Sequence, residues 1–212
     1  MCFKKNFKCV IFLGAILCTN LCAAQKPVFA DVSTVNSNII IDMQYAKENN
    51  FTGKVIYTSN KCFVLKTVAE KLNKVQKELE NQNLGLKVLD GFRPMTAVKK
   101  FWEAYPNPKY VSHPEKGGRR HTRGTAVDVT LVDKDGKEIK MPTEFDDFTE
   151  KAGSEAKNVS VEAKKNRETL KAVMKKFGFE PLSAEWWHFD LKGWKNHEVL
   201  TEIDFKDIEV AA

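Results

Sequence analysis

AVDVTLVDKDGKE, residues 126–138, is the stretch that decides the fold. Val127, Val129 and Leu131 alternate with Asp128 and Thr130. That period of two is the signature of a β-strand, with a carboxylate on the face opposite the valines. DKDGKE, 133–138, then carries the Asp-Gly chemistry of a hairpin turn. A chain that reverses so quickly favours antiparallel pairing, because parallel strands need a crossover of about a dozen residues or more.

Upstream, HPEKGGRRHTRG (113–124) is a polar, glycine-rich loop that feeds this strand. LKVLDGF (86–92) reads as a second strand ending in a turn at Asp90-Gly91. Residues 61–83 read as a helix: Leu65, Val68, Leu72, Val75 and Leu79 recur at three- and four-residue steps, and Gly85 is placed to stop it. Pro94 suits the first turn of a helix through TAVKKFWEAY (96–105). Downstream, 160–177 forms a third helix, with Leu170, Val173, Met174 and Phe177 on one side and Gly178 as its stop. EWWHFD (185–190) opens a last strand, 185–191. Mixed helices and hairpin-type strands, with no Pro/Gly/Ser linker and no repeat, predict one small α+β domain with a mostly antiparallel sheet and flanking helices.

The balance of 42% hydrophobic and 29% charged residues is that of a globular chain, not a disordered one. The first residues differ from the rest. MCFKKNFK is basic, CVIFLGAILC (9–18) is apolar but too short to span a bilayer, and LCAA ends in small residues. This is the order of a secretory signal peptide, so residues 1–24 are expected to be removed and 25–212 to form the working domain, a retained membrane anchor being the alternative. Such a chain is exported, to the periplasm or cell envelope of a bacterium, and keeps no stable membrane span after cleavage. Cleavage removes Lys4, Lys5 and Lys8, taking the formal charge from +6 to +3, and leaves Cys62 as the one cysteine. Cys62 then has no partner for an internal disulfide and reads as a small buried apolar residue. No basic stripe with interleaved aromatics is present, so nucleic acid is not expected as a partner. Nothing in the sequence sets an oligomeric state.

Four histidines stand at 113, 121, 188 and 197. His113 and His197 lie in polar surroundings and read as surface residues. His121 ends the glycine-rich loop, and Gly124 lets the chain bend so that its imidazole can fold back over the strand face carrying Asp128. Read alone, Asp128 is either a solvent-facing strand residue or a metal ligand with His121. His188 can supply a third donor, a nitrogen, to a set of the N and O type that zinc takes, leaving a fourth position open. Glu185 poses a geometric problem, since residues three apart face opposite sides of a strand. Either Trp186, Trp187 and Phe189 form a core strand with charges at its edge, or the chain bends so that Glu185 can move protons beside a metal. Arg93, in DGFRP just past a strand end, is either a surface turn residue or a donor to a developing oxyanion.

YAKENNFTGK (45–54), DGFRP (90–94), RHTRGTAVDVTL (120–131), FDDF (145–148) and EWWHFD (185–190) together resemble the zinc D-alanyl-D-alanine dipeptidases, which are related to D,D-carboxypeptidases. The order of the five motifs matches, and the resemblance spans roughly residues 30 to 191. It implies a small α+β domain with one zinc ion per chain at the edge of an antiparallel sheet. It implies that His121, Asp128 and His188 are the zinc ligands, and that Glu185 is the general base and acid. It implies that Arg93 steadies the tetrahedral intermediate, that Asp146 holds the substrate's free amino terminus, and that Tyr45 lines the pocket. One position departs: where family members commonly have a serine two residues before the first zinc histidine, this chain has Arg119. The implied activity is hydrolysis of a small D-amino-acid dipeptide, D-Ala-D-Ala; with the signal segment it would take place in the envelope, for cell-wall turnover or scavenging. Two rivals follow from the same residues. One is a D,D- or L,D-carboxypeptidase or endopeptidase acting on peptidoglycan stems. The other is a zinc-binding module without catalysis, against which Glu185 and Arg93 argue.

Overall fold

The computed structural model describes residues 27–209, Gly118 excepted. The expected signal segment, 1–24, lies outside these residues. In chain order the strands are β1 (Phe29–Asp31), β2 (Ile40–Ile41), β3 (Phe63–Leu65), β4 (Leu84–Asp90), β5 (Ala126–Asp133), β6 (Phe179–Pro181) and β7 (His188–Leu191). The helices longer than a single 3-10 turn are α1 (Val32–Val35), α2 (Lys66–Glu80), α3 (Met95–Ala104) and α4 (Val161–Lys176). The main sheet runs β2-β4-β5-β7-β6, and β1 pairs with β3 in a separate ribbon. Every pairing is antiparallel except β2 with β4. The α+β, mostly antiparallel expectation therefore holds.

The stretch 126–138 does less local reversing and more central work than its sequence implies. Its turn forms: Asp133 Oδ1 accepts from the amides of Asp135 and Lys137, each at 2.9 Å. The returning arm, however, makes one bridge, Val132 with Glu138. The long partners of β5 are β4 on one side and β7 on the other. As the middle strand it is buried on both faces, which removes the solvent-facing reading of Asp128. Val127, Val129 and Leu131 join the core, where α2 packs on β4 and α4 on β5 and β6.

The helix expected over 61–83 is shorter. Phe63–Leu65 are strand β3, drawn into pairing by β1, and α2 starts at Lys66. Val68, Leu72, Val75 and Leu79 are fully buried, as the stripe requires. The chain leaves the helix through Asn83 in the left-handed region (φ 57°), and Gly85 lies inside β4. Buried Gln76 finishes the join, accepting the Leu86 amide at 2.8 Å where β2 no longer covers β4. The other two helices stand where the sequence places them, with Pro94 opening α3 and Ser160 capping α4 through the Ala163 amide.

The β1–β3 ribbon also fixes the loops that carry the chemistry. Phe63 accepts the Phe92 amide at 2.7 Å, and Gly124 accepts the Leu65 amide at 3.0 Å. Gly91 sits in this seam. A Cβ there would stand 2.8 Å from Cys62 Sγ and 2.9 Å from the Phe63 carbonyl oxygen. Gly91→Ala is therefore expected to destabilise the fold by about 1–3 kcal/mol, the usual cost of overpacking. Thermal melting checks this, at roughly 2–4 °C per kcal/mol for a chain of this size. Cys62 is fully buried, and burial pushes its thiol up, as expected of a packing residue.

Candidate active site

Asp128 on β5 and His188, the first residue of β7, stand opposite each other in the sheet register. His121 opens a single 3-10 turn, His121–Arg123, which Gly124 ends in the left-handed region (φ 67°) before the chain enters β5. The three side chains converge: His188 Nδ1 is 3.0 Å from Asp128 Oδ1, and His121 Nε2 is 3.1 Å from His188 Nδ1 and 3.4 Å from Asp128 Oδ1. All three are buried.

The far ring nitrogens are already committed. His121 Nδ1 donates to the Gly91 carbonyl at 2.8 Å, and His188 Nε2 lies 3.0 Å from Asp190 Oδ1. In neutral rings this leaves the near nitrogens, His121 Nε2 and His188 Nδ1, free to offer lone pairs to a metal. Two imidazoles and a carboxylate so arranged fit a divalent metal. Without one, the electrostatics are those of a trapped proton. Burial alone would lower His188, but hydrogen bonds to Asp128 and Asp190 prevail and raise it to about 10. Burial likewise disfavours the charged form of Asp128, yet the two imidazoles hold its carboxyl well below the usual range. A metal held by this group would displace the His188 proton, so its affinity is expected to rise with pH between about 6 and 9, tenfold per unit for each proton released. Chelator competition across that range measures it; a flat profile would contradict the arrangement.

Glu185 precedes β7, and the chain bends at Trp186 and Trp187. The strand expected over 185–191 thus begins three residues later. The bend is built by tertiary contacts: the Trp186 amide donates to Ala152 O at 2.8 Å and its indole Nε1 to Thr143 Oγ1 at 2.9 Å. Both tryptophans are buried, their rings 86° apart. The bend brings Glu185 Oε2 to 3.9 Å from His188 Nδ1, so residues three apart do share a site. Burial raises the Glu185 carboxyl to about 7.

Arg93 is not a surface residue. Its Nε and one terminal nitrogen donate to Asp90 Oδ2 at 3.1 and 2.7 Å, and its guanidinium carbon lies 4.8 Å from the Phe101 ring centroid and 5.4 Å from that of Tyr45. Asp90 is fully buried, and its other oxygen accepts from Tyr57 Oη and the Gly91 amide, each at 2.8 Å. Across the cavity, Tyr45 Oη donates to Asp146 at 3.0 Å. Asp146 is held in the left-handed region (φ 58°), and its carboxyl is raised well above the usual range by burial and then by the charge of Asp128. A cation placed beside it would favour its ionised form.

Tyr45, Arg93, His121, Asp128, Asp146, Glu185 and His188 all line one cavity of about 90 Å³, walled by Phe51, Phe101, Phe148 and Trp187. Arg119 lines it too, but its guanidinium is turned to the carbonyls of Pro114 and Glu115, at 3.2 and 3.5 Å. His113 stays outside, its ring 4.6 Å from that of Trp102, and His197 is not in the set. Asp90 holds Arg93, and Tyr57 holds Asp90; neither stands out in the sequence as part of the site. The Asp90–Arg93 spacing was visible, but nothing local marked it as a buried ion pair.

Three relatives carry the same name, D-alanyl-D-alanine dipeptidase. The Escherichia coli protein is 34% identical over 172 residues, covering 81% of this chain and 89% of its own length. The Enterococcus faecium protein is 34% identical over 71% of this chain and 85% of its own. The Streptomyces coelicolor protein is 31% identical over 77% and 91%. A solved LD-carboxypeptidase, LdcB, aligns with a TM-score of 0.42 at 16% identity over 82% of this chain and 80% of its own, too distant to carry an argument. A family model described as D-ala-D-ala dipeptidase matches residues 25–204. This chain, whose His121, Asp128 and His188 form a group that could hold a metal, belongs to that D-Ala-D-Ala dipeptidase family of metal-dependent peptidases.

Proposed function

We propose that the chain is a zinc dipeptidase that splits D-alanyl-D-alanine into two D-alanines. The observation that carries this reading is the convergence, in one cavity, of a His-Asp-His group that could hold a metal, the raised carboxyl of Glu185, the buried guanidinium of Arg93 and the buried acid Asp146.

His121, Asp128 and His188 would hold zinc, which as a Lewis acid acidifies water and polarises a carbonyl. Glu185 takes the proton of the attacking water and passes it to the leaving amine; a carboxyl near neutrality suits both directions. Arg93, stiffened by Asp90 and two aromatic faces, meets the negative charge that develops on the carbonyl oxygen. Asp146, with the Tyr45 hydroxyl, pairs with the substrate's ammonium. The aromatic walls exclude water and strengthen each of these interactions. Exported through residues 1–24, the enzyme would act on free dipeptide in the cell envelope during wall turnover.

Selection of a free amino end is the discriminating property. D-Ala-D-Ala is expected to be hydrolysed with a kcat/KM at least about 30-fold above that of its N-acetyl form, since a buried charge pair contributes roughly 2 kcal/mol or more. Asp146→Asn should erase most of that preference by raising KM for the free dipeptide alone. Equal hydrolysis of both substrates by the wild type would instead favour a carboxypeptidase.

A further inference from the structure

Asp190 has no part in the reaction above, yet it is buried beside the ligand triad. It lies on β7 two residues after His188, with Ala126 of β5 opposite on one side and Glu180 of β6 on the other. Pairing on both flanks holds its backbone. Residues two apart on a strand share a face, and Asp190 Oδ1 accordingly lies 3.0 Å from His188 Nε2. The opposite ring nitrogen, Nδ1, is the one that faces His121 and Asp128. The second carboxylate oxygen of Asp190 is 2.9 Å from Arg120 Nε, whose N–H is not aimed at it, so the contact is a charge pair and not an aligned hydrogen bond. Arg120 immediately precedes His121, and its guanidinium carbon lies 4.9 Å from the Trp194 ring centroid. One carboxylate thus joins the strand carrying one imidazole ligand to the segment carrying the other.

We propose that Asp190, clamped by Arg120, is a positioning residue for the metal centre. By accepting the Nε2–H of His188 it fixes the tautomer and ring angle that present Nδ1 to the metal. By pairing with Arg120 it sets the spacing between His188 and His121. The proposal rests on the reading of His121, Asp128 and His188 as ligands.

The test is the zinc dissociation constant of the full chain, measured by chelator competition, with melting of the zinc-free protein as a separate readout of the fold. Asp190→Ala is expected to weaken zinc binding by about 10–100-fold, as loss of such outer partners does. Asp190→Asn, whose amide oxygen still accepts Nε2–H, should recover most of the affinity, which a purely structural role for the Asp190 charge would not allow. Arg120→Gln should fall between the wild type and Asp190→Ala. A folded Asp190→Ala chain with wild-type affinity overturns the proposal, as does an Asn variant no better than Ala. Should Asp190→Ala not fold, wild-type affinity in Arg120→Gln overturns the clamp. A wild-type chain that binds no zinc would instead remove the reading of the site itself.

Discussion

Glu185→Gln is expected to keep the fold and the metal while lowering kcat by about 10²–10⁴-fold, the range spanned by general acid–base catalysis. The substitution keeps volume and removes only the ability to take and return a proton. Glu185 Oε2 stands 3.9 Å from His188 Nδ1, outside the cluster of three donor atoms, so its loss does not open the ligand set. Burial makes this carboxyl hold its proton up to about 7 in the metal-free chain, and a nearby dication pulls that value down. The working form is the carboxylate, so kcat/KM falls as pH drops through the Glu185 pKa. The acid limb should vanish in the Gln variant. Metal content and turnover on one preparation decide the matter: a variant that turned over normally, or that lost its metal, would contradict the role.

Arg93→Ala is expected to be costly twice. Removing one donor aimed at developing charge lowers kcat by about 10²–10³-fold. It also leaves Asp90, fully buried, without its cation, and breaking a buried pair in this way costs about 3–5 kcal/mol. Arg93→Lys restores a charge but not the two donors that reach Asp90 Oδ2, so stability should recover more than turnover. Denaturant unfolding and steady-state kinetics separate the two losses. An Ala variant as stable as wild type would show that Asp90 does not depend on Arg93.

Read alone, the sequence left His121, Asp128, His188, Glu185 and Arg93 as candidates beside ordinary structural readings, and Asp146 and Tyr45 entered only through the resemblance of their motifs; the structure brings all seven to one cavity. The sequence carried α2 from Lys66 onward because period alone marks that helix. It did not carry β3, since Cys62–Leu65 is a continuous apolar run that suits strand and helix alike, and its partner β1 lies far upstream. Nor did it carry the bend before β7. No glycine or proline marks that bend; the Trp186 amide and indole make it by reaching Ala152 and Thr143. The supports of the site escaped for the same reason. Tyr57 meets Asp90, and Arg120 meets Asp190, only after the sheet has assembled.

The most direct measurement is release of D-alanine from D-Ala-D-Ala by residues 25–212, with metal content determined on the same sample. Two D-alanines per dipeptide, one zinc ion per chain, loss of turnover with a chelator and its return with zinc are expected. A folded, zinc-loaded chain that cleaved no D-Ala-containing peptide would contradict the proposed function.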